Sequence, residues 1–192
     1  MKLAAVLAVA AVMSAYADDK AQFTEDGQLI RPSNYREWIF LSSGLGMTYG
    51  PNRPEPGARL RFDNVYVNPS SYREFLRTGQ WVDGTILILE VRESESEGSI
   101  NRHGHYQGAL VGLEANVKDS RRFPKTGWAF FDLNPRNNQR TVKPIPPGNR
   151  CEQCHSTHGA VDNTFVQFYP ELIPIAKRFG TYKPQPATAG GH

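Results

Sequence analysis

Sulfur-containing residues are scarce in this chain of 192 residues, which has two cysteines and three methionines. The two cysteines, Cys151 and Cys154, lie in one short segment, and Met47 is the one methionine outside the first 17 residues. Two cysteines exclude a dense disulfide framework, and they are too few for a zinc site made of four thiolates. Any thiol chemistry is therefore confined to one segment.

Long apolar runs are missing after the first residues of the chain. Lys2, the apolar run from Leu3 to Val12 and the small-residue pattern Ala15-Tyr16-Ala17 predict a secretory signal peptide over residues 1–17. That run is too short to cross a hydrocarbon core about 30 Å thick, so we expect cleavage before Asp18 and no membrane span. The sequence thus predicts a periplasmic or secreted protein.

A large surplus of one charge sign is also absent. The formal net charge is +3, and lysines and arginines are interspersed with acidic residues. We therefore expect no nucleic-acid partner. The length suits one domain, which we place at residues 33–180, after a polar lead-in at 18–32 and before a tail at 181–192 whose composition favours disorder.

Apolar patterning predicts an α+β fold, predominantly an antiparallel β-sheet with a few short helices. The run at 85–91 is apolar at nearly every position, so we expect a central strand that is covered on both faces. The predicted strands are Leu60 to Val67, Thr85 to Val91, Tyr106 to Val117 and Gly127 to Leu133.

Three helices are predicted around these strands. Capping-box patterns begin the first at Asn34, continuing to about Ser43, and the second near Ser71, ending before Gly79. Apolar spacing predicts the third over 170–179. Between the first helix and the first strand, residues 47–58 are rich in proline and glycine, which predicts a long loop, and long loops in compact domains are often functional.

The segment Cys151-Glu152-Gln153-Cys154-His155 matches the attachment pattern of c-type haem. Two thiols at this spacing on a helical turn can add to the two haem vinyl groups, and the adjacent imidazole then lies below the iron. We therefore predict one covalent haem c, with thioether bonds at Cys151 and Cys154 and His155 as the proximal iron ligand. The alternatives are a disulfide between the two cysteines and half of a zinc site, which needs two more ligands, of which His158 could supply only one.

Function then depends on the opposite face of the iron, where a sixth ligand favours electron transfer and a vacant position favours ligand binding or catalysis. Met47 is the candidate thioether ligand, and it lies in the glycine-rich loop. His103 and His105 are weaker candidates because they lie in a polar turn. We expect a five-coordinate haem.

The order and spacing of six segments resemble the cytochrome P-460 family over residues 30 to 180. The resemblance implies a mainly antiparallel β fold, a homodimer, a five-coordinate haem bound through His155, and chemistry on small nitrogen compounds. The segments are Asn34-Tyr-Arg-Glu-Trp38, Gly112-Leu-Glu-Ala-Asn-Val-Lys-Asp119, Arg122-Phe123, Gly127-Trp-Ala-Phe-Phe131, Cys151-Glu-Gln-Cys-His155 and Phe165-Val-Gln-Phe-Tyr-Pro170.

Members of the family that oxidise hydroxylamine carry a lysine bonded to the porphyrin. Matching Gly84, Thr85 and Glu90 to the family pattern places Leu89 at that position. Leucine has no nucleophile, so the resemblance is to the cytochrome c′-β branch, whose apolar distal pocket binds nitric oxide. Lys118 and Lys125 are the nearest later lysines; we expect a solvated structural role for Lys118 and a cross-link at neither.

Leu89 is thus the first candidate for a distal wall, and Phe62 from the preceding strand is the second. Phe130 or Phe131 could also contribute, although a core role is the commoner one for phenylalanine. Glu90 and Glu114 are expected to be structural and not acid–base catalysts.

Three functions follow from these expectations. The first is binding of nitric oxide or a similar small gaseous or nitrogenous ligand in an apolar distal pocket. The second is oxidation of hydroxylamine to nitrogen oxides, and the third is electron transfer with Met47 as the sixth ligand. A periplasmic redox partner is compatible with each of them.

Overall fold

The computed structural model describes residues 19–48, 58–136 and 139–184, and these form two antiparallel sheets and three short helices. Five strands make the main sheet, in the order β2-β3-β4-β5-β6, and β1 pairs with β7 in a two-stranded sheet. The strands are β1 Leu29–Ile30, β2 Ile39–Leu45, β3 Arg61–Val67, β4 Ile86–Glu95, β5 Tyr106–Lys118, β6 Trp128–Asp132 and β7 Thr141–Val142. The helices are α1 Pro69–Thr78, α2 Arg150–His158 and α3 Ile173–Arg178. This is the predicted α+β fold.

Strand β4 is central, as its apolar run predicts. It pairs with β3 on one side and with β5 on the other, and Ile86, Leu87 and Ile88 are all buried. The sheet presents one apolar cluster on each face, so both sets of alternating side chains are covered. In the part of the chain that the structure describes, no helix is long and apolar enough to cross a membrane.

The helix predicted from Asn34 to about Ser43 is wrong. The chain makes a single 3₁₀ turn at Tyr35–Glu37, and β2 follows at Ile39. Asn34 makes no side-chain cap hydrogen bond, and β2 pairs along its length with β3. The aromatic and β-branched residues after Trp38 suit a half-buried strand, and pairing with a neighbouring strand overrides the local capping pattern.

Helix α1 begins two residues before the predicted Ser71. Asn68 precedes it, and its side-chain carbonyl accepts a hydrogen bond from the Ile86 backbone, which ties the helix to β4. Gly79 ends the helix with a φ of 69°, a conformation that glycine adopts without strain. Helix α3 lies within the predicted range.

Several predicted segments fall on parts of the chain outside the described residues. These are the signal peptide at 1–17, most of the loop at 47–58 and most of the tail at 181–192. The polar lead-in at 18–32 is ordered over the residues described: Leu29 is fully buried in β1, and Phe23 packs on the same cluster.

Glu90 lies on the face of the sheet that this lead-in covers, and it is 2 % exposed. Its carboxylate accepts hydrogen bonds from Tyr35 Oη at 2.5 Å, Arg36 at 2.6 Å, Arg92 at 2.7 Å and Asn64 at 3.2 Å. A buried carboxylate needs such partners, because burial of an unpaired charge is costly. Glu90 therefore has the structural role expected of it.

Candidate functional site

The opposite face of the main sheet forms the floor of a cavity of about 430 Å³. Strand pairing aligns alternate residues along this floor, so Val65 lies beside Leu89, and Leu89 lies beside Glu114. Helix α2 and the segment that follows it form the roof. The floor residues are Ser42, Gly44, Asp63, Val65, Leu87, Leu89, Glu114, Asn116 and Phe130, and the roof residues are Arg150, Cys151, Cys154, His155, Thr164, Phe165, Phe168 and Tyr169. Ile88 also borders the cavity, although it belongs to the core cluster on the opposite face.

Helix α2 places the three residues of the haem motif on one side. Asn149 caps the helix by accepting a hydrogen bond from the Glu152 backbone at 3.0 Å, and the Glu152 carboxylate accepts one from the Gly148 backbone at 2.9 Å. This reciprocal cap starts the helix immediately before Cys151. Residues at i, i+3 and i+4 share a helix face, and Cys151, Cys154 and His155 accordingly all line the cavity as free thiols and an imidazole.

The His155 ring contacts a backbone carbonyl and two aromatic rings. Its Nδ1 lies 2.9 Å from the Asn163 backbone carbonyl, which only accepts, so Nδ1 carries the proton and Nε2 has the lone pair. Ring centroids of Phe130 and Phe165 lie 4.8 Å and 4.2 Å from the imidazole. Burial lowers the pKa of His155, and the Asn163 bond opposes this only in part. A neutral imidazole with a free Nε2 is the form that ligates iron.

Leu89 and its cross-strand neighbour Val65 form an apolar part of the cavity floor. Phe62 does not line the cavity, in contrast to its assignment as a candidate wall residue. It precedes Asp63, which does line the cavity, and successive side chains of a strand point to opposite faces. Val65 therefore takes the place that sequence reasoning gave to Phe62.

The other aromatic candidates also separate by strand alternation. Phe130 lines the cavity, but it lies against His155 rather than beside Leu89. Phe131 belongs to the core on the opposite face. Met47 lines the cavity from the end of β2, and its thioether occupies the space that a Cβ on Gly44 would fill.

Glu114 is a cavity residue that sequence reasoning treated as structural. Burial raises its pKa, and the carboxylates of Asp132 and Asp63 raise it further. Burial also raises the pKa of the Cys151 thiol, with a smaller contribution from Glu114. The signal for Glu114 was present in the sequence, because it alternates with the apolar residues Leu113 and Ala115 and must face away from their core.

The remaining histidine candidates lie elsewhere. His103 and His105 are exposed between β4 and β5, and the His105 ring lies 2.8 Å from Ser94 Oγ. His158 is exposed at the end of α2. Across residues 19–48, 58–136 and 139–184, no group of three or more His, Cys, Asp or Glu side chains is arranged to hold a metal ion by itself.

These elements define a class of protein. A cavity that presents two thiols and a neutral imidazole from a Cys-x-x-Cys-His helix fits the donor set of c-type haem. The family model for cytochrome P460 matches residues 32–166, which include this helix, and the chain therefore belongs to the cytochrome P460 family. Membership implies haem binding and a monohaem c-type cytochrome. No curated protein matches the chain significantly.

Proposed function

We propose that the protein is an exported monohaem c-type cytochrome that binds nitric oxide or a similar small uncharged ligand beside an apolar wall. Cys151 and Cys154 would hold the haem through thioethers, and His155 Nε2 would ligate the iron. The observation that carries the proposal is the pairing of Leu89 with Val65 on the cavity floor. When bound, haem supplies an iron that takes up diatomic ligands and changes its oxidation state.

The polarity of the cavity supports an uncharged ligand. Leu89 and Val65 have no hydrogen-bond donor to offer to bound oxygen or to an anion. The carboxylates of Glu114 and Asp63 line the floor of the cavity and repel anions when ionised, whereas the one cationic lining residue among those described, Arg150, lies in the roof beside Cys151. Nitric oxide and carbon monoxide are neutral, so they lose little hydration free energy when they enter such a cavity.

A pair of alanine variants tests this role for Leu89. Leu89→Ala removes part of the cavity wall and so enlarges the cavity. We therefore expect the association rate of carbon monoxide with the ferrous protein, measured by flash photolysis, to change at least several-fold. Phe62→Ala is the matched control, because Phe62 also lies on a strand of the sheet but does not line the cavity. A ferrous protein that forms no nitrosyl complex in stopped-flow spectra would refute the proposed ligand.

Electron transfer with Met47 as the sixth ligand is a second candidate function. It is favoured by the place of Met47 in the cavity, where the absence of a side chain at Gly44 makes room for the thioether. This function predicts a low-spin ferric spectrum with an iron–sulfur charge-transfer band that disappears in Met47→Leu. A high-spin spectrum that Met47→Leu leaves unchanged would remove it.

Oxidation of hydroxylamine has less support. Leu89 lies on the cavity floor, and the sequence resemblance assigns to it the position of the cross-linking lysine. Among the described residues no lysine lines the cavity. Lys118 is instead bonded to Asp162 and to the Trp81 carbonyl. We expect the intact mass to equal polypeptide plus haem with two thioethers, and we expect no turnover of hydroxylamine with an electron acceptor.

A further inference from the structure

The loop at 159–164, which follows α2, carries the carbonyl that orients His155. Asp162 and Asn163 have φ values of 45° and 59°, so two successive residues other than glycine are left-handed. Aspartate and asparagine tolerate this conformation better than most residues, but it remains unfavourable for each. Such a turn persists when neighbouring groups hold it, and the structure shows what holds it.

The side chain of Lys118 holds one side of this turn. Its ammonium group makes a charge-assisted bond with the Asp162 carboxylate, and it donates to the Trp81 carbonyl at 2.9 Å. The side chain of Lys118 is 18 % exposed, and its nitrogen lies 5.7 Å from the centre of the Trp128 ring. The solvated role expected for Lys118 from the sequence is therefore not the one observed.

Trp81 holds the other side of the turn. Its indole nitrogen donates to Thr164 Oγ1 at 2.8 Å, and Thr164 Oγ1 donates in turn to the Val161 carbonyl at 2.6 Å. Asn163 thus lies between a residue fixed by Lys118 and a residue fixed by Trp81. Its carbonyl can rotate little while both contacts are made.

Strand β5 provides the rigid support for Lys118. The Lys118 backbone pairs with Trp128 in β6, donates to the Thr85 carbonyl at 2.9 Å and accepts from Gly84 at 2.8 Å. Strand alternation places Lys118 on the same face as Asn116, whose side-chain amide lies 3.3 Å from His155 Nδ1. One strand of the sheet therefore reaches the histidine directly and the turn that orients it.

We propose that Lys118 is a positioning residue for the iron ligand, acting through Asp162 and the Asn163 carbonyl on His155. The inference rests on the proposed role of His155 as the axial ligand. A strong bond from Nδ1–H to the carbonyl increases the electron donation of Nε2, and this stabilises ferric over ferrous iron. Loss of the Lys118 contact loosens the turn, weakens that bond and raises the reduction potential.

The test compares Lys118→Met with Lys118→Arg and Lys125→Met in the full-length haem-loaded protein. Lys125 is an exposed lysine in the turn between β5 and β6, and it serves as the control. At a fixed ambient potential, we expect the ferrous-to-ferric ratio of Lys118→Met to rise on the order of tenfold, which corresponds to about 59 mV for one electron. Resonance Raman spectra should show a lower iron–histidine stretching frequency in the same variant.

Lys118→Arg should keep the reduction potential and the iron–histidine frequency close to the wild-type values, because arginine retains the charge and the hydrogen-bond donors. Asp162→Asn supplies a second route to the same result, since asparagine tolerates the left-handed backbone but lacks the charge. The inference would be overturned if Lys118→Met and Asp162→Asn both kept the wild-type reduction potential and iron–histidine frequency. It would also be overturned if Lys125→Met shifted these quantities as much as Lys118→Met does. An iron–histidine band absent from the wild-type ferrous protein would instead refute the proposed ligation by His155.

Discussion

Gly159, at the end of α2, is a position where a single methyl group should damage the site. Its backbone donates to the His155 carbonyl at 2.9 Å, and its φ of −71° is accessible to any residue. A Cβ there would lie 2.6 Å from His155 O, 2.7 Å from Asn163 C and 2.7 Å from Thr164 N. All three contacts are to backbone atoms, so no flexible side chain can move to relieve them. The expected cost of Gly159→Ala is therefore steric.

The size of this cost follows from the three contacts. Overpacking costs about 1–3 kcal/mol, and we expect Gly159→Ala to lower the free energy of unfolding by about 3 kcal/mol, the upper end of that range, because only backbone can move. Gly127→Ala is the control, since Gly127 has a φ of 76° and a Cβ added there would meet open space. Only backbone conformation opposes that substitution, at about 1 kcal/mol.

Urea unfolding of the haem-loaded variants, followed by circular dichroism, measures both costs. The ferrous iron–histidine band should shift in Gly159→Ala and stay at the wild-type frequency in Gly127→Ala, because only the former displaces the backbone of His155 and Asn163. The reasoning fails if Gly159→Ala loses no more stability than Gly127→Ala and keeps the wild-type band.

Three further predictions concern polar groups around the sheet and the cavity. Glu90→Gln should lower the free energy of unfolding in urea by about 3 kcal/mol because it breaks the ionic network around a buried carboxylate. Glu93 is partly exposed and pairs only with the exposed Arg59, so Glu93→Gln should cost under about 1 kcal/mol; equal losses would contradict this. The pKa of Glu114 is raised by burial, so this carboxyl group should ionise above the usual pH range of a glutamate. Because the ionised carboxylate favours ferric iron, the reduction potential should fall as the pH rises through that pKa. Potentiometric titrations of Glu114→Gln should not show this pH dependence. Asn149→Ala should cost about 1 kcal/mol by removing the cap of α2, and an unchanged urea midpoint would argue against this cap.

The main strands could be predicted because their side-chain patterns and their packing agree. The apolar run at 85–91 is long enough and β-branched enough to predict a strand covered on both faces, and β4 confirms it. The capping pattern at Asn34 failed because a four-residue signal competes with pairing along the whole of β2. The two-residue strands β1 and β7 are too short to leave a pattern at all.

The cavity could be anticipated only in part. Spacing alone predicts that Cys151, Cys154 and His155 share a helix face, because a helix repeats every 3.6 residues. Val65 and not Phe62 lines the cavity because of the face that β3 presents to it. A shift of the register by one residue would reverse this, and the sequence does not reveal which register is adopted. The Asn163 carbonyl and its support by Lys118 involve backbone conformation and a partner distant in sequence, which side-chain patterns do not encode.

Strand β4 carries Leu89 towards the cavity and Glu90 into the ionic network on the opposite face. The two neighbouring residues therefore have different roles: Glu90 stabilises the position of the strand, and residue 89 contributes to the site. A slip of one residue would place the Glu90 carboxylate in the cavity and Leu89 among arginines, so selection on either side chain preserves the same register. Because Glu90 holds the register, residue 89 can be substituted during evolution without a change of fold. This position is therefore a natural starting point for giving the protein a new reaction.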